Sequence, residues 1–419
     1  MKKPYTVPAG CRIRLLVMLL ALLAAVAWGL SEADAYEVWV TDQSDTGNET
    51  GGFLYVYNGG RLAAKPSDAT PVVALDLAGD VRKFCEDSTK KPIRRPHMLF
   101  FTADQSRAIF SFLSGQVLFM DAETRKLEAC LSMGKNVHAA WPTPDMKMVL
   151  AANMAEKKLI RIWTDYKAHQ FTFDPAKDVM NLGAEEGPER PDTAPICPIT
   201  DASSKYAFVT LRGGGLFVVD VTETPMKIVA TLDNTQIHPA GCGGVQVGNT
   251  MFLNSGGGFP VAPLSYDIYA VNIADLPNSV SAKLISSRDT RFSDSHGLVG
   301  VKNYVWSSDR AGNEIEIIDP STGQSVASLD LNGPYSGDPA PDLLAVSPDG
   351  AYVFMALRGP FPLTGNAKEM NNAQGSTPGV GVIKVTEEGK SGQFIGVDRI
   401  TNLKDGKETA DPHGIAVRK

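Results

Sequence analysis

From residue 36 onward, short runs rich in Val, Ile, Phe and Tyr alternate with turns of Gly, Asp, Asn and Pro, and no helical period lasts three turns. This pattern predicts an all-β protein of many short strands. The clearest units share one plan: a strand, a turn with Asp or Pro, a second strand, a Gly-containing turn, a third strand ending in Asp, and a fourth strand. One unit reads His97-Met98-Leu99-Phe100-Phe101, Ala108-Ile109-Phe110-Ser111, Gln116-Val117-Leu118-Phe119-Met120-Asp121 and Lys126-Leu127-Glu128-Ala129-Cys130. Another begins at His296 and continues through Tyr304-Val305-Trp306 and Glu314-Ile315-Glu316-Ile317-Ile318-Asp319 to Ser325-Val326-Ala327-Ser328-Leu329.

The units begin at His97, His138, Pro195, His238, His296, Asp342 and His413. Four strands repeated at roughly 40–50 residues predict a propeller. The last unit stops after one strand. The segment after residue 35 opens with three strands and no histidine start: Glu37-Val38-Trp39-Val40, Phe53-Leu54-Tyr55-Val56-Tyr57 and Val72-Val73-Ala74-Leu75-Asp76. One strand from the end and three from the beginning complete a seventh blade and remove the open sheet edge. Residues 36–419 are therefore expected to form one seven-bladed β-propeller, with a Gly/Asn-rich insertion at 364–379.

The third and fourth strands, as in Glu314 to Ile318 leading through Asp319-Pro320-Ser321-Thr322-Gly323, resemble the YVTN-type propeller repeat, over nearly all of residues 36–419. That family includes the propeller of nitrous-oxide reductase, copper-dependent thiocyanate dehydrogenase and the large subunits of quinone-cofactor amine dehydrogenases. The resemblance implies the fold, and fold does not fix function.

The N-terminal 35 residues have a different character. Lys2, Lys3, Arg12 and Arg14 precede or enter an apolar run over 15–30, and Ala33-Asp34-Ala35 offers small residues for cleavage before Tyr36. Residues 1–35 are thus expected to be a signal peptide and the mature protein periplasmic. Net charge is −7 with no basic tract, which argues against nucleic acid and anionic membranes as partners. The export expectation leaves Cys85, Cys130, Cys197 and Cys242 in an oxidising compartment, where two disulfides are possible and the spacing does not fix their pairing. Cys197 and Cys242 fall near the hub, as a disulfide between neighbouring blades or as thiolate ligands. Cys85 and Cys130 lie on or just after outer strands.

In a propeller the first strand of each blade is innermost, so its start lies at the mouth of the axial channel. His97, His138, His238, His296 and His413, with Asp342, would then converge as a nitrogen-rich set suited to copper, zinc or iron. Such a centre resembles the multi-histidine copper sites of nitrous-oxide reductase and thiocyanate dehydrogenase, although adjacent His-His pairs and a separate Cys-containing copper domain are missing here. Asp294 and Asp411, just before His296 and His413, are placed to orient those rings. Arg212, Arg310 and Arg358 recur between second and third strands on the same face, as candidate catalytic groups for an anionic or polar substrate; blade-to-blade salt bridges are the alternative. The sequence thus predicts an exported metal-dependent oxidoreductase, with copper as cofactor, acting on a small molecule and passing electrons to a soluble cytochrome or cupredoxin. The alternative is a non-catalytic propeller subunit or scaffold of a periplasmic dehydrogenase complex, with its histidines spaced too widely to share an ion.

Overall fold

A computed structural model describes residues 36–46, 50–257, 264–288 and 293–419; the expected signal peptide lies outside them. Seven antiparallel sheets follow one another along the chain, six of four strands and one, blade 3, with a fifth short strand, Val179–Asn181. Blade 1 is the closing blade, ordered Val73–Asp76, Phe53–Asn58, Glu37–Asp42 and Pro412–Arg418. The C-terminal strand pairs with the first in the register Glu37 to Arg418 and Val40 to Ile415, which is the expected closure of the ring. Blade 2 runs from Pro96–Phe101 to Leu127–Ser132, blade 3 from Val137–Pro142 to Gln170–Thr172, and blade 4 from Pro195–Thr200 to Lys227–Leu232. Blades 5, 6 and 7 have inner strands Gly244–Val247, Ser295–Val301 and Pro341–Val346.

The turn between first and second strands is specified by short polar side chains. Thr102, Thr143 and Ser347 each donate a hydroxyl hydrogen bond to an aspartate two residues on, at 2.7, 2.7 and 2.6 Å. The next residue, Gln105, Met146 or Gly350, turns through positive φ. Carboxylates at the ends of third strands hold the following turn: Asp121 accepts from the Thr124 amide and Asp319 from the Ser321 amide, both at 2.8 Å.

Apolar side chains fill the spaces between adjacent blades. Between blades 1 and 2, Trp39, Leu54 and Val56 pack against Leu99, Phe110 and Leu118; between blades 6 and 7, Trp306 and Ile317 pack against Val353 and Ile383. Met98 is buried in a separate cluster with Val40, Ala139 and Ile415. Burying such side chains contributes about 1.5–3 kcal/mol each before chain entropy is subtracted, so each blade depends on its neighbours.

Two features differ from the sequence expectation. Cys85 lies on a helix, Asp80–Thr89, whose inner face carries Val81 and Cys85; too short to show a sustained period, it is pinned by a disulfide to Cys130. Blade 5 does not begin at His238. Its inner strand starts at Gly244, and the segment before it is a loop.

Candidate metal centre at the propeller hub

Inner strands of blades 2, 3, 4, 6, 7 and 1 each break register near their first residue, as between Pro96 and Leu99, Ser295 and Leu298, and Pro341 and Leu344. Such a bulge turns one side chain away from the sheet and toward the axis. The residue there is His97 in blade 2, His138 in blade 3, His296 in blade 6, Asp342 in blade 7 and His413 in blade 1.

A recurring side-chain tie identifies the equivalent place in blades 4 and 5. In blade 6 the Ser308 hydroxyl accepts from the Gly297 amide at 2.8 Å and donates to the Asp342 carbonyl of blade 7 at 2.7 Å. In blade 2 the Ser111 hydroxyl accepts from the Met98 amide and donates to the His138 carbonyl at 3.3 and 3.0 Å. Thr210 does the same between the Cys197 amide and the Gly241 carbonyl, and Asn254 between the Gly243 amide and the His296 carbonyl. The residue before the tied amide faces the hub, which makes it Ile196 in blade 4 and Cys242 in blade 5. Gly297 and Gly414 follow His296 and His413 because the neighbouring strand passes there; a Cβ would lie 2.6 Å from the Asp342 carbonyl oxygen and 2.8 Å from that of His97.

His238 therefore does not join the ring. It sits four residues before the hub position, its side chain is 43% exposed, and Nδ1 lies 2.9 Å from Asp267 Oδ2. Cys242 takes its place and forms a disulfide with Cys197, with Cα atoms 5.0 Å apart, joining blades 4 and 5. The thiolate alternative does not hold in this state.

The other five candidates meet. His97 Nε2 lies 3.1 Å from His138 Nε2, and the His97 and His413 rings stack with centroids 3.9 Å apart. His296 Nε2 is 2.9 Å from Asp342 Oδ1, and His413 Nε2 is 3.8 Å from the same oxygen. The far nitrogens fix the tautomers. His413 Nδ1 donates to the His97 carbonyl at 2.9 Å, and His97 Nδ1 to Gln43 Oε1 at 3.2 Å, so each Nε2 turns a lone pair toward the hub. Burial holds His97 and His413 well below the usual imidazole range and His138 down to about 3, so all three are neutral at neutral pH.

Asp342 divides its two oxygens between different tasks. Oδ2 accepts from Arg358 Nη1 at 2.5 Å and Arg310 Nη1 at 3.2 Å. Oδ1 faces the hub without a hydrogen bond: its contact with His296 Nε2 is close but lacks the necessary alignment, and both atoms are buried and unpartnered. Burial alone would raise the Asp342 pKa, but the imidazoles of His296 and His413 and the two guanidiniums outweigh it and hold the carboxyl well below its usual range.

Two of the three arginines are consumed by the protein. Arg358, wholly buried, bonds both oxygens of Asp411 at 2.7 and 2.9 Å and the Thr364 carbonyl at 3.0 Å. Arg310 binds Asp294 through Nε and Nη2, at 2.9 and 2.5 Å, and the Gly365 carbonyl at 2.9 Å. Asp294 and Asp411 thus anchor arginines, and the 364–379 insertion is tied across the channel mouth. Arg212 is the more open one, 42% exposed and bound to Asp192 at 2.5 Å. It lines a chamber of about 400 Å³ above the histidines, together with Arg95, Asn136 and Asn366.

Comparison with known proteins places the architecture. No family model matches the sequence, and no curated protein matches it. A candidate 6-phosphogluconolactonase from Bacteroides fragilis superposes with a TM-score of 0.63 at 13% identity, over 93% of this chain and 99% of that one. A Lactobacillus plantarum protein gives 0.62 at 10% identity, over 92% and 100%. The periplasmic gluconolactonase of Pseudomonas aeruginosa gives 0.57 at 12% identity, over 92% and 99%. The chain is a seven-bladed β-propeller. At such identities the likeness is one of fold.

Proposed function

We propose that the hub binds a transition metal and that the protein is an exported, metal-dependent oxidoreductase acting on a small polar molecule in the chamber above it. The observation that carries this reading is the facing pair of buried, unpartnered atoms, Asp342 Oδ1 and His296 Nε2, beside His413 Nε2. Two imidazoles and one carboxylate are a recurrent transition-metal ligand set, and their ligand atoms lie within 4.8 Å of one another. His97 and His138 add two more neutral nitrogens, which makes copper the expected ion over zinc or iron, as does the resemblance to copper-dependent propellers. When bound, such an ion supplies one-electron redox chemistry or polarises a substrate oxygen.

The chain's own groups have definable tasks. Gln43 and the His97 carbonyl fix ring orientation. Arg310 and Arg358 keep Asp342 ionised while leaving one oxygen for the metal. Arg95 and Arg212 give the chamber positive potential for an anionic substrate. A soluble cytochrome or cupredoxin is the proposed electron partner. The two disulfides are compatible with the proposed export.

The scaffold reading requires histidines too far apart to share an ion, and the contact distances at the hub favour the metal reading over it. Metal analysis of protein purified without an affinity tag tests the proposal. Stoichiometric copper, iron or zinc that disappears in His296→Ala and His413→Ala supports it. A metal-free protein that takes up no Cu(II) on titration overturns it.

A further inference from the structure

The hub contains a second constellation, which shares only His138 with the proposed centre. His138 Nδ1 lies 3.8 Å from Cys197 Sγ and 3.9 Å from Cys242 Sγ, and the three atoms lie within 4.8 Å of one another. We propose that the Cys197–Cys242 disulfide is reducible in the folded protein and that its reduced form, with His138, is a site for a thiophilic metal such as Cu(I) or Zn(II). This builds on the hub geometry but not on the ion at His296, Asp342 and His413, since those residues contribute nothing to it.

Location distinguishes this disulfide from the other. Cys85 and Cys130 are packed among Val81, Ile93 and Leu118 and line neither of the two cavities at the hub. Cys242 instead lines the polar chamber and also a largely apolar cavity of about 430 Å³ bounded by Met98, Phe100 and Trp141. Cys242, 3% exposed, thus forms part of the wall between them, while Cys197 is fully buried. The disulfide links the inner strand of blade 4 to the loop that leads into blade 5, and each blade stays packed through its own sheet, so opening it need not unfold either blade.

The step balances with a dithiol as reductant. A thiolate of the dithiol attacks Cys242 Sγ, the Sγ–Sγ bond breaks, and Cys197 leaves as thiolate. The second thiol of the reductant then releases Cys242, and the dithiol departs as a disulfide. Two electrons reach the cysteine pair, and each sulfur takes up a proton or a metal ion. Two thiolates and one imidazole are soft ligands that favour Cu(I) or Zn(II), with a further position open toward the chamber.

The test uses native protein treated anaerobically with dithiothreitol and then desalted. Alkylation and peptide mass spectrometry are expected to label Cys197 and Cys242 and to leave Cys85 and Cys130 unlabelled. Titration with Co(II) is then expected to give a thiolate-to-cobalt charge-transfer band, worth about one equivalent, that oxidised protein lacks. Cys197→Ser and Cys242→Ser should each abolish the band, and His138→Ala should weaken Co(II) binding by about tenfold or more. His296→Ala should keep the band, which separates this site from the proposed catalytic centre. Labelling of Cys197 and Cys242 only after unfolding, or a reduced protein without the charge-transfer band, would overturn the proposal.

Discussion

Asp342 Oδ1 and His296 Nε2 face each other at 2.9 Å across two blades, buried, and neither has a hydrogen-bond partner. Asp342 is held there by two arginines on its other oxygen, and His296 by the Asn254 tie to its own carbonyl. Leaving a buried polar group unpaired costs about 1–3 kcal/mol, and a bound cation would satisfy both atoms together. On the proposed reading, the ion completes the site.

Asp342→Asn removes the charged ligand and keeps the shape. Affinity for Cu(II), measured by competition with a chelator, is expected to fall by at least about tenfold. Unchanged affinity would place the ion elsewhere. Stability should fall as well, because Arg310 and Arg358 lose their shared anion.

Arg358→Ala and Arg212→Ala separate two arginines that occupy equivalent sequence positions. The first leaves Asp411 buried without its cation and Asp342 with Arg310 alone, and about 3–5 kcal/mol of unfolding free energy is expected to be lost. The second removes a partly exposed pair with Asp192 and should cost about 1 kcal/mol or less. Denaturant unfolding of both variants checks the difference. If Arg212 binds the substrate, its variant raises KM on an anionic substrate while stability barely changes.

The ring of blades was legible because strand periodicity and turn chemistry repeat locally, and because the half-blade at each end of the chain had one partner. The four hub histidines were legible because each follows a turn and begins an inner strand. His238 mimicked that pattern in Ile237-His238-Pro239, yet the inner strand starts only at Gly244. The better marker was the polar residue in the second strands of blades 2, 4, 5 and 6, Ser111, Thr210, Asn254 and Ser308, whose partner amide fixes the register. Salt bridging was one of two readings the sequence left for these arginines, but the partners were hidden: Arg310 pairs with Asp294 and Arg358 with Asp342, each 16 residues away in the same blade, and both also reach an aspartate of the next blade.

Ser308→Ala tests the inter-blade tie. It leaves the Gly297 amide and the Asp342 carbonyl without their partner in a buried place, so about 1–3 kcal/mol of stability should be lost. The same change is expected to loosen the placement of Asp342 relative to His296, lowering metal affinity along with Tm. Loss of stability at unchanged metal affinity would show that the bulge alone sets the hub geometry.

Asp42 provides a pH dependence away from the hub ligands. It is fully buried, Oδ1 accepts from the Ser44 and Asp411 amides at 2.9 and 2.8 Å, and Oδ2 has no partner. Burial raises its pKa from 3.8 to about 6. Folding therefore favours the protonated form, and the stability this contributes is complete below about pH 4 and lost as pH rises through about 6. Asn cannot ionise and keeps an oxygen for both amides. Relative to the native protein, Asp42→Asn should accordingly gain on the order of 2–4 °C in Tm between about pH 4 and about pH 7.5. Parallel Tm profiles for the two proteins over that range would show that Asp42 stays ionised in the fold.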